Sequence, residues 1–338
     1  MESLYTKYRP HIWDDVLGQE SVVKILKQQI VTSNIFNCMI FAGISGTGKT
    51  TLARIFANEL NKGQGAPIEI DAASNNGVEN VRSIINSASE RALSGEYKVY
   101  IIDEAHMLST QAWNAFLKCI EEPPHYTLFI FCTTDPQKIP ETIQNRCMRF
   151  NFTRVSSQLI KNRLNYICTQ EGVFDWEEAT DYISRICEGE VRKAISYLET
   201  CISYSKSLTM QNVLTALGNS SYDDYFKLVN AIIDGDSSTI VQTIDRMYDE
   251  GIDLKRFVNL FLEFCFDIVK YLLTNNIKST KIPDLYQEQL DFATKFEGPL
   301  KYYNYIVDKL LILKNMLKQD VNERVTIEIM FNQISRFV

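Results

Sequence analysis

The octapeptide Gly43-Ile44-Ser45-Gly46-Thr47-Gly48-Lys49-Thr50 restricts this chain to very few folds. It fits the spacing G-x-x-x-x-G-K-[ST]. It follows the apolar run Cys38-Met39-Ile40-Phe41-Ala42 and leads into Leu52, Ile55, Phe56 and Leu60 at helical spacing. That is the strand, loop and helix context in which such a loop cradles phosphates. Glycines let backbone amides face phosphate oxygens, and the helix N-terminus adds a favourable dipole. Lys49 is placed to reach the β- and γ-phosphates, and Thr50 to offer a hydroxyl to Mg²⁺. The expected ligand is ATP as Mg-ATP, held by Gly43, Ser45, Gly46, Thr47, Gly48, Lys49, Thr50 and Thr51.

A phosphate loop of this kind sits on a parallel sheet, and the flanking sequence supplies one. Ile68-Glu69-Ile70-Asp71, Val99-Tyr100-Ile101-Ile102 and Leu128-Phe129-Ile130-Phe131-Cys132 are short, mostly apolar runs. Such runs read as strands covered on both faces. Between them Val78, Val81, Ile84, Ile85, Ala88 and Ala92 recur at helical spacing, as do Ala112, Phe116, Leu117 and Ile120. Alternating strands and helices predict an α/β domain over residues 1–152. After Phe152 the strand signal ends. Residues 153–218 read as a small helical domain. The turn-rich Gly218-Asn219-Ser220-Ser221 marks a boundary, and 219–338 reads as long helices, with Phe257, Leu260, Phe261, Phe264, Ile268 and Leu272 on one face. Polar residues from Lys278 to Pro283, and Gly298-Pro299, break that pattern. A chain of 338 residues is long enough for two or three such domains.

Val99 to Ile102 runs into Asp103-Glu104. An aspartate at a strand's C-terminal end can bind Mg²⁺ directly or through water, and the next carboxylate can polarise the attacking water. Thr134 follows the strand at Leu128–Cys132, where a polar side chain positions water or senses the γ-phosphate; a simple strand-end cap reads the same way. Arg146, in Asn145-Arg146-Cys147, is either a surface charge or a finger supplied to a neighbouring subunit's ATP. Arg192 opens a helix in the second domain and can reach back to the phosphates.

Composition narrows the class further. The net charge of −7 is unlike that of a protein that coats DNA non-specifically. The eight cysteines contain no C-x-x-C pair and lie mostly in apolar segments, which argues against a zinc site or a disulfide framework. No apolar run approaches the roughly 18 residues a membrane helix needs. The start Met1-Glu2-Ser3-Leu4-Tyr5 has no basic region followed by an apolar stretch, so a cytoplasmic protein without membrane contact is expected.

Taken together, the motifs resemble a clamp-loader ATPase of the AAA+ class. They are Lys7-Tyr8-Arg9-Pro10, Leu17-Gly18-Gln19-Glu20, the phosphate loop, Glu69-Ile70-Asp71-Ala72-Ala73-Ser74 and Asp103-Glu104-Ala105-His106-Met107-Leu108. Glu121-Glu122-Pro123-Pro124, Thr133-Thr134-Asp135-Pro136-Gln137-Lys138 and Asn145-Arg146-Cys147 extend the match. The pattern is most similar to the gamma/tau family of bacterial DNA polymerase III, and more distantly to the replication factor C small subunit. Clear motifs cover residues 5–150, and Gly189 to Ala194 carries the match into the second domain. The resemblance implies a RecA-like AAA+ domain, a three-helix lid and an all-α collar that joins subunits in a five-membered ring. It implies that Lys49, Thr50, Asp103 and Glu104 are the Walker residues, Thr134 sensor 1, Arg146 the trans arginine finger and Arg192 sensor 2. Tyr8, Arg9, Pro10 and Val16 would lie near the adenine. Its implied partners are other clamp-loader subunits, a sliding clamp and primer-template DNA. Met107, Leu108 and Trp113 fall where the family faces the clamp, although Trp113 also reads as core.

The sequence departs from that family in three places. Between the phosphate-loop helix and the next strand the chain has only Asn61-Lys62-Gly63-Gln64-Gly65-Ala66-Pro67, so the family's four-cysteine zinc module is not expected. The family's Ser-Arg-Cys is Asn145-Arg146-Cys147. Asn75 and Gly77 stand where basic, DNA-facing residues are usual. Arg82 and Lys118 remain, which implies weak, salt-sensitive phosphate contacts. Ending after collar-like helices, the chain is expected to be without the C-terminal extension of the long tau form. The missing zinc module and compact chain hint at a phage or a divergent bacterium, hence the cytoplasm of a bacterium or of a phage-infected host. Two rivals are another AAA+ DNA motor and a non-catalytic scaffold subunit. Such scaffold paralogues tend to lose the lysine or the Asp-Glu pair that this chain keeps.

Overall fold

The computed structural model describes residues 2–90, 94–218, 222–319 and 322–336. Ala92 of the predicted helical face and the turn at 219–221 lie outside them. The chain divides into two compact units, Met1–Leu208 and Thr209–Val338.

The first unit holds strands β1 (Cys38–Ala42), β2 (Ile68–Asp71), β3 (Lys98–Asp103), β4 (Thr127–Thr133) and β5 (Met148–Asn151). All pair in parallel, in the order β2-β3-β4-β1-β5. Four of the strands match the apolar runs of the sequence. β5 was not foreseen: it is an edge strand of four residues with only Phe150 buried, too short and too polar to register as a run.

Helices α1 (Leu4–Lys7), α2 (Glu20–Thr32), α3 (Lys49–Leu60), α4 (Val78–Ala88), α5 (Thr110–Glu121) and α6 (Glu141–Gln144) alternate with these strands. Side chains of a strand point to opposite faces in turn, and here each set finds a different helical layer. Ile40, Tyr100, Ile102, Phe129 and Phe131 pack with Val81 of α4 and with Trp113 and Phe116 of α5. Met39, Phe41, Val99, Ile101, Leu128 and Ile130 pack with Leu26 of α2 and with Leu52 and Phe56 of α3. Trp113 lies 5.1 Å from Phe131 between ring centroids and is 1% exposed. Burying a side chain of this kind is worth about 1.5–3 kcal/mol, so Trp113 is core and not contact surface. Leu108 is also buried, whereas Met107 is exposed.

The first unit continues through α7 (Ser157–Glu171), α8 (Glu177–Ile186) and α9 (Val191–Tyr204). Ser156 caps α7 by accepting the Leu159 amide, and Gly172 ends the helix at φ 62°. This helical part packs within the same compact unit as the sheet.

Among its described residues the second unit has no strand; its α-helices are α10 (Met210–Ala216), α11 (Tyr222–Ile233), α12 (Ser237–Asp249), α13 (Leu254–Thr274), α14 (Gln287–Ala293), α15 (Pro299–Met316) and α16 (Glu323–Ser335). Phe257, Phe261, Phe264 and Ile268 of α13 are buried, as the helical spacing predicted, and α15 lies against α13. The predicted break at Gly298-Pro299 is the start of α15, with Pro299 at the first turn, where its missing N–H costs nothing.

Candidate active site

Three strand ends converge to make the site. β1 ends at the phosphate loop, β3 at Asp103 and β4 at Thr133, and β4 lies between β1 and β3. Ligands of open parallel sheets bind at the carboxyl ends of the strands. The loop turns into α3 at Gly48, whose φ of 97° is a backbone region that L side chains avoid. Gly43 is needed for a different reason. Its amide donates to Thr133 O at 3.1 Å, and a Cβ there would sit 2.5 Å from Phe152 O. Gly43 therefore packs the loop against β4 and β5, while the amides further along the loop are left for phosphate. Lys49 is buried and donates to Gly43 O and Ile44 O, each at 2.8 Å. Burial lowers its ammonium below the ordinary lysine value, against the pull of Glu104 and Asp103. An anion bound beside it would offset that desolvation.

Thr50 Oγ1 donates to Asp103 Oδ2 at 2.8 Å, and Asp103 Oδ1 accepts the Glu104 amide at 3.0 Å. A hydroxyl and a carboxylate side by side are hard oxygen donors. They suit Mg²⁺, which takes one or two protein oxygens and fills its octahedron with phosphates and water. Glu104 has φ 46° and ψ 42°, a left-handed conformation uncommon for a non-glycine residue. Thr134 Oγ1 donates to Glu104 Oε2 at 3.2 Å. Thr134 thus meets the carboxylate that the sequence placed beside the attacking water.

Arg192, at the start of α9, lies 4.7 Å from the centroid of the Tyr5 ring, and Arg9 lies 5.4 Å from the same ring. The Val191 amide donates to Gly46 O at 3.1 Å, tying α9 to the phosphate loop. A cleft next to the loop is lined by Tyr8, Arg9, Pro10, Val16, Arg163 and Arg192, among others. The four residues expected near the adenine therefore line one cleft. Arg9 Nε also donates to Thr51 Oγ1 at 3.2 Å.

Arg146 is elsewhere. It precedes Met148, which pairs with Met39 near the start of β1. Its guanidinium donates to Thr142 O at 2.7 Å and pairs with Glu121 at 2.8 Å. The phosphate loop leaves the opposite end of β1, five residues and about 15 Å away at strand rise, further than an arginine side chain spans. Arg146 does not serve the phosphate loop of its own chain.

A family model described as DNA polymerase III, delta subunit matches residues 67–156, and one for DNA polymerase III subunits gamma and tau domain III matches residues 208–298. The DNA polymerase III subunit gamma of Buchnera aphidicola subsp. Baizongia pistaciae is 30% identical over 97% of this chain and 96% of that protein. The chain belongs to the DNA polymerase III gamma/tau family. The subunit tau of Bacillus subtilis is 34% identical over 90% of this chain, which spans 61% of that relative's length. The Thermotoga maritima RuvB Holliday junction branch migration motor shares the fold, with a TM-score of 0.54 at 22% identity over 67% of this chain and 79% of that one. The gamma/tau-family chain thus has an AAA+ domain followed by a helical region.

Several supports of the site in this gamma/tau-family chain are brought together only by the fold. Tyr5 stands between two arginines. Gln19 is buried, donating to Thr153 O at 2.9 Å and accepting the Thr153 amide at 3.2 Å. Glu171 of α7 accepts from Lys7 at 2.7 Å and from the Tyr8 hydroxyl at 2.6 Å, and Arg163 donates to Tyr8 O at 2.7 Å. Those bonds fasten the N-terminal wall of the cleft to α7. The DNA-facing candidates are both exposed. Arg82 lies on α4 and pairs with Glu79 at 2.9 Å, and Lys118 lies on α5, which packs against α4. Among the described residues no group of three or more His, Cys, Asp or Glu could hold a metal ion, and no helix is long and apolar enough to cross a membrane.

Proposed function

We propose that the chain is an ATPase subunit of a clamp loader. In this reading ATP, with Mg²⁺ at Thr50 and Asp103, binds the phosphate loop through Lys49. Thr134 orients Glu104 on the attacking water, and Arg192 brings the helical lid to the phosphates. Residues 1–152 are the nucleotide domain, 153–218 the lid and 219–338 the collar that joins a five-subunit ring. ATP binding favours the closed ring and an opened sliding clamp. Primer-template DNA, touched by Arg82 and Lys118, triggers hydrolysis and release. The work takes place in the cytoplasm of a bacterium or a phage-infected host, with no membrane partner.

The observation that carries this reading is the division of the site. The loop, Asp103, Glu104 and Thr134 lie together at one end of the sheet, and Arg146 lies at the other end. A head-to-tail neighbour is the simplest way to bring the two together. The test is steady-state ATP turnover of the assembled complex with and without clamp and primer-template DNA. Turnover is expected to rise at least tenfold when both are added. Turnover indifferent to both would overturn the proposal.

A further inference from the structure

We infer that His106 is the positioning residue that keeps Glu104 aimed at the attacking water. The inference rests on Glu104 being the base of ATP hydrolysis. His106 lies in the short helical turn Ala105–Met107, for which Glu104 is the cap residue. The left-handed Glu104 backbone turns the chain sharply off β3, so the imidazole comes back against the end of β4. Its side chain is only 12% exposed.

The hydrogen bonds assign the ring a role. His106 Nδ1 lies 3.2 Å from Thr133 Oγ1 and 3.4 Å from Glu104 Oε2. Thr133 Oγ1 already accepts the Asp135 amide at 3.1 Å. A hydroxyl has one proton and two lone pairs, so Thr133 Oγ1 can take the Asp135 amide and still accept from Nδ1–H. The same edge of the ring faces the Glu104 carboxylate. With its proton on Nδ1 the ring offers Oε2 a donor, beside the Thr134 hydroxyl at 3.2 Å. His106 and Thr134 together thus hold Oε2. Because Thr133 and Thr134 are consecutive at the end of β4, both restraints move with that strand end.

The test compares two substitutions of nearly equal size in the assembled complex. His106→Asn keeps a hydrogen-bonding amide in place of Nδ1–H, and His106→Leu removes it. Leu is expected to lower the triggered kcat by about tenfold, with the equilibrium Kd for ATP unchanged. Asn is expected to stay within about twofold of the unsubstituted chain. Equal rates for the two variants, or a rate loss that follows a change in Kd, would overturn the inference. If His106→Leu does not fold, Thr133→Val removes the hydroxyl that holds the ring without touching the turn, and the same tenfold loss is expected; an unchanged kcat there overturns the inference equally. Glu104→Gln serves as the reference. Full loss in Glu104→Gln with no effect of His106→Leu refutes only the role of His106, whereas no effect of Glu104→Gln refutes the function on which it rests.

Discussion

Replacing Arg146 by alanine is expected to lower the triggered ATPase rate of the assembled complex by about 10³-fold, the lower end of what an arginine finger supplies to phosphoryl transfer. That corresponds to about 4 kcal/mol of transition-state stabilisation. ATP binding by the isolated chain should not change, because Arg146 lies at the far end of the sheet from its own phosphate loop. The guanidinium is held by Glu121 and Thr142. Both members of the Arg146–Glu121 pair are close to half exposed, and such pairs are worth at most about 1 kcal/mol. Exchanging Glu121 for a neighbour's phosphate is therefore cheap. Single-turnover hydrolysis in complexes carrying Arg146→Ala measures the effect. A rate within a few-fold of the unsubstituted complex would remove Arg146 from the chemistry.

The second large effect belongs to Glu104. Glu104→Gln keeps the shape of the side chain and an oxygen that can accept from Thr134, but it removes the basic carboxylate. Positioned general bases contribute about 10²–10⁴-fold, so hydrolysis should fall by that much while the Kd for ATP stays within about threefold. The variant should trap the complex in its ATP-bound form. A Glu104→Gln complex that turns over ATP at an ordinary rate would mean that another group activates the water.

The legible part of the molecule is the part whose chemistry demands particular residues at fixed spacing. Lys49 and Thr50 follow from the phosphate loop, and Asp103-Glu104 from an apolar strand that ends in two carboxylates. The three interior strands carried their own apolar runs because helices bury them on both faces, and β2, at one edge, showed through Ile68 and Ile70. β5 did not, because an edge strand with one buried residue has no such pattern. Trp113 was ambiguous in the sequence, since an amphipathic helix says which residues share a face and not what covers it; its packing on Phe131 settles the matter. The contacts that support the site were silent for a related reason. His106 and Glu171 act through contacts between residues far apart in the chain or on different elements, and no local pattern announces a bond between Glu171 and Tyr8. Glu121 and Arg146 both stood in recognised motifs, yet only the fold brings them together.

We propose that each chain carries a complete ATP-binding site and an incomplete hydrolytic one. Parallel measurement of equilibrium ATP binding and steady-state hydrolysis on the isolated chain and on the assembled complex tests it most directly. The isolated chain is expected to bind ATP, with binding lost in Lys49→Ala, and to hydrolyse it at least about 10²-fold more slowly than the complex triggered by clamp and primer-template DNA. An isolated, monomeric chain that hydrolyses ATP as fast as the triggered complex would contradict the account.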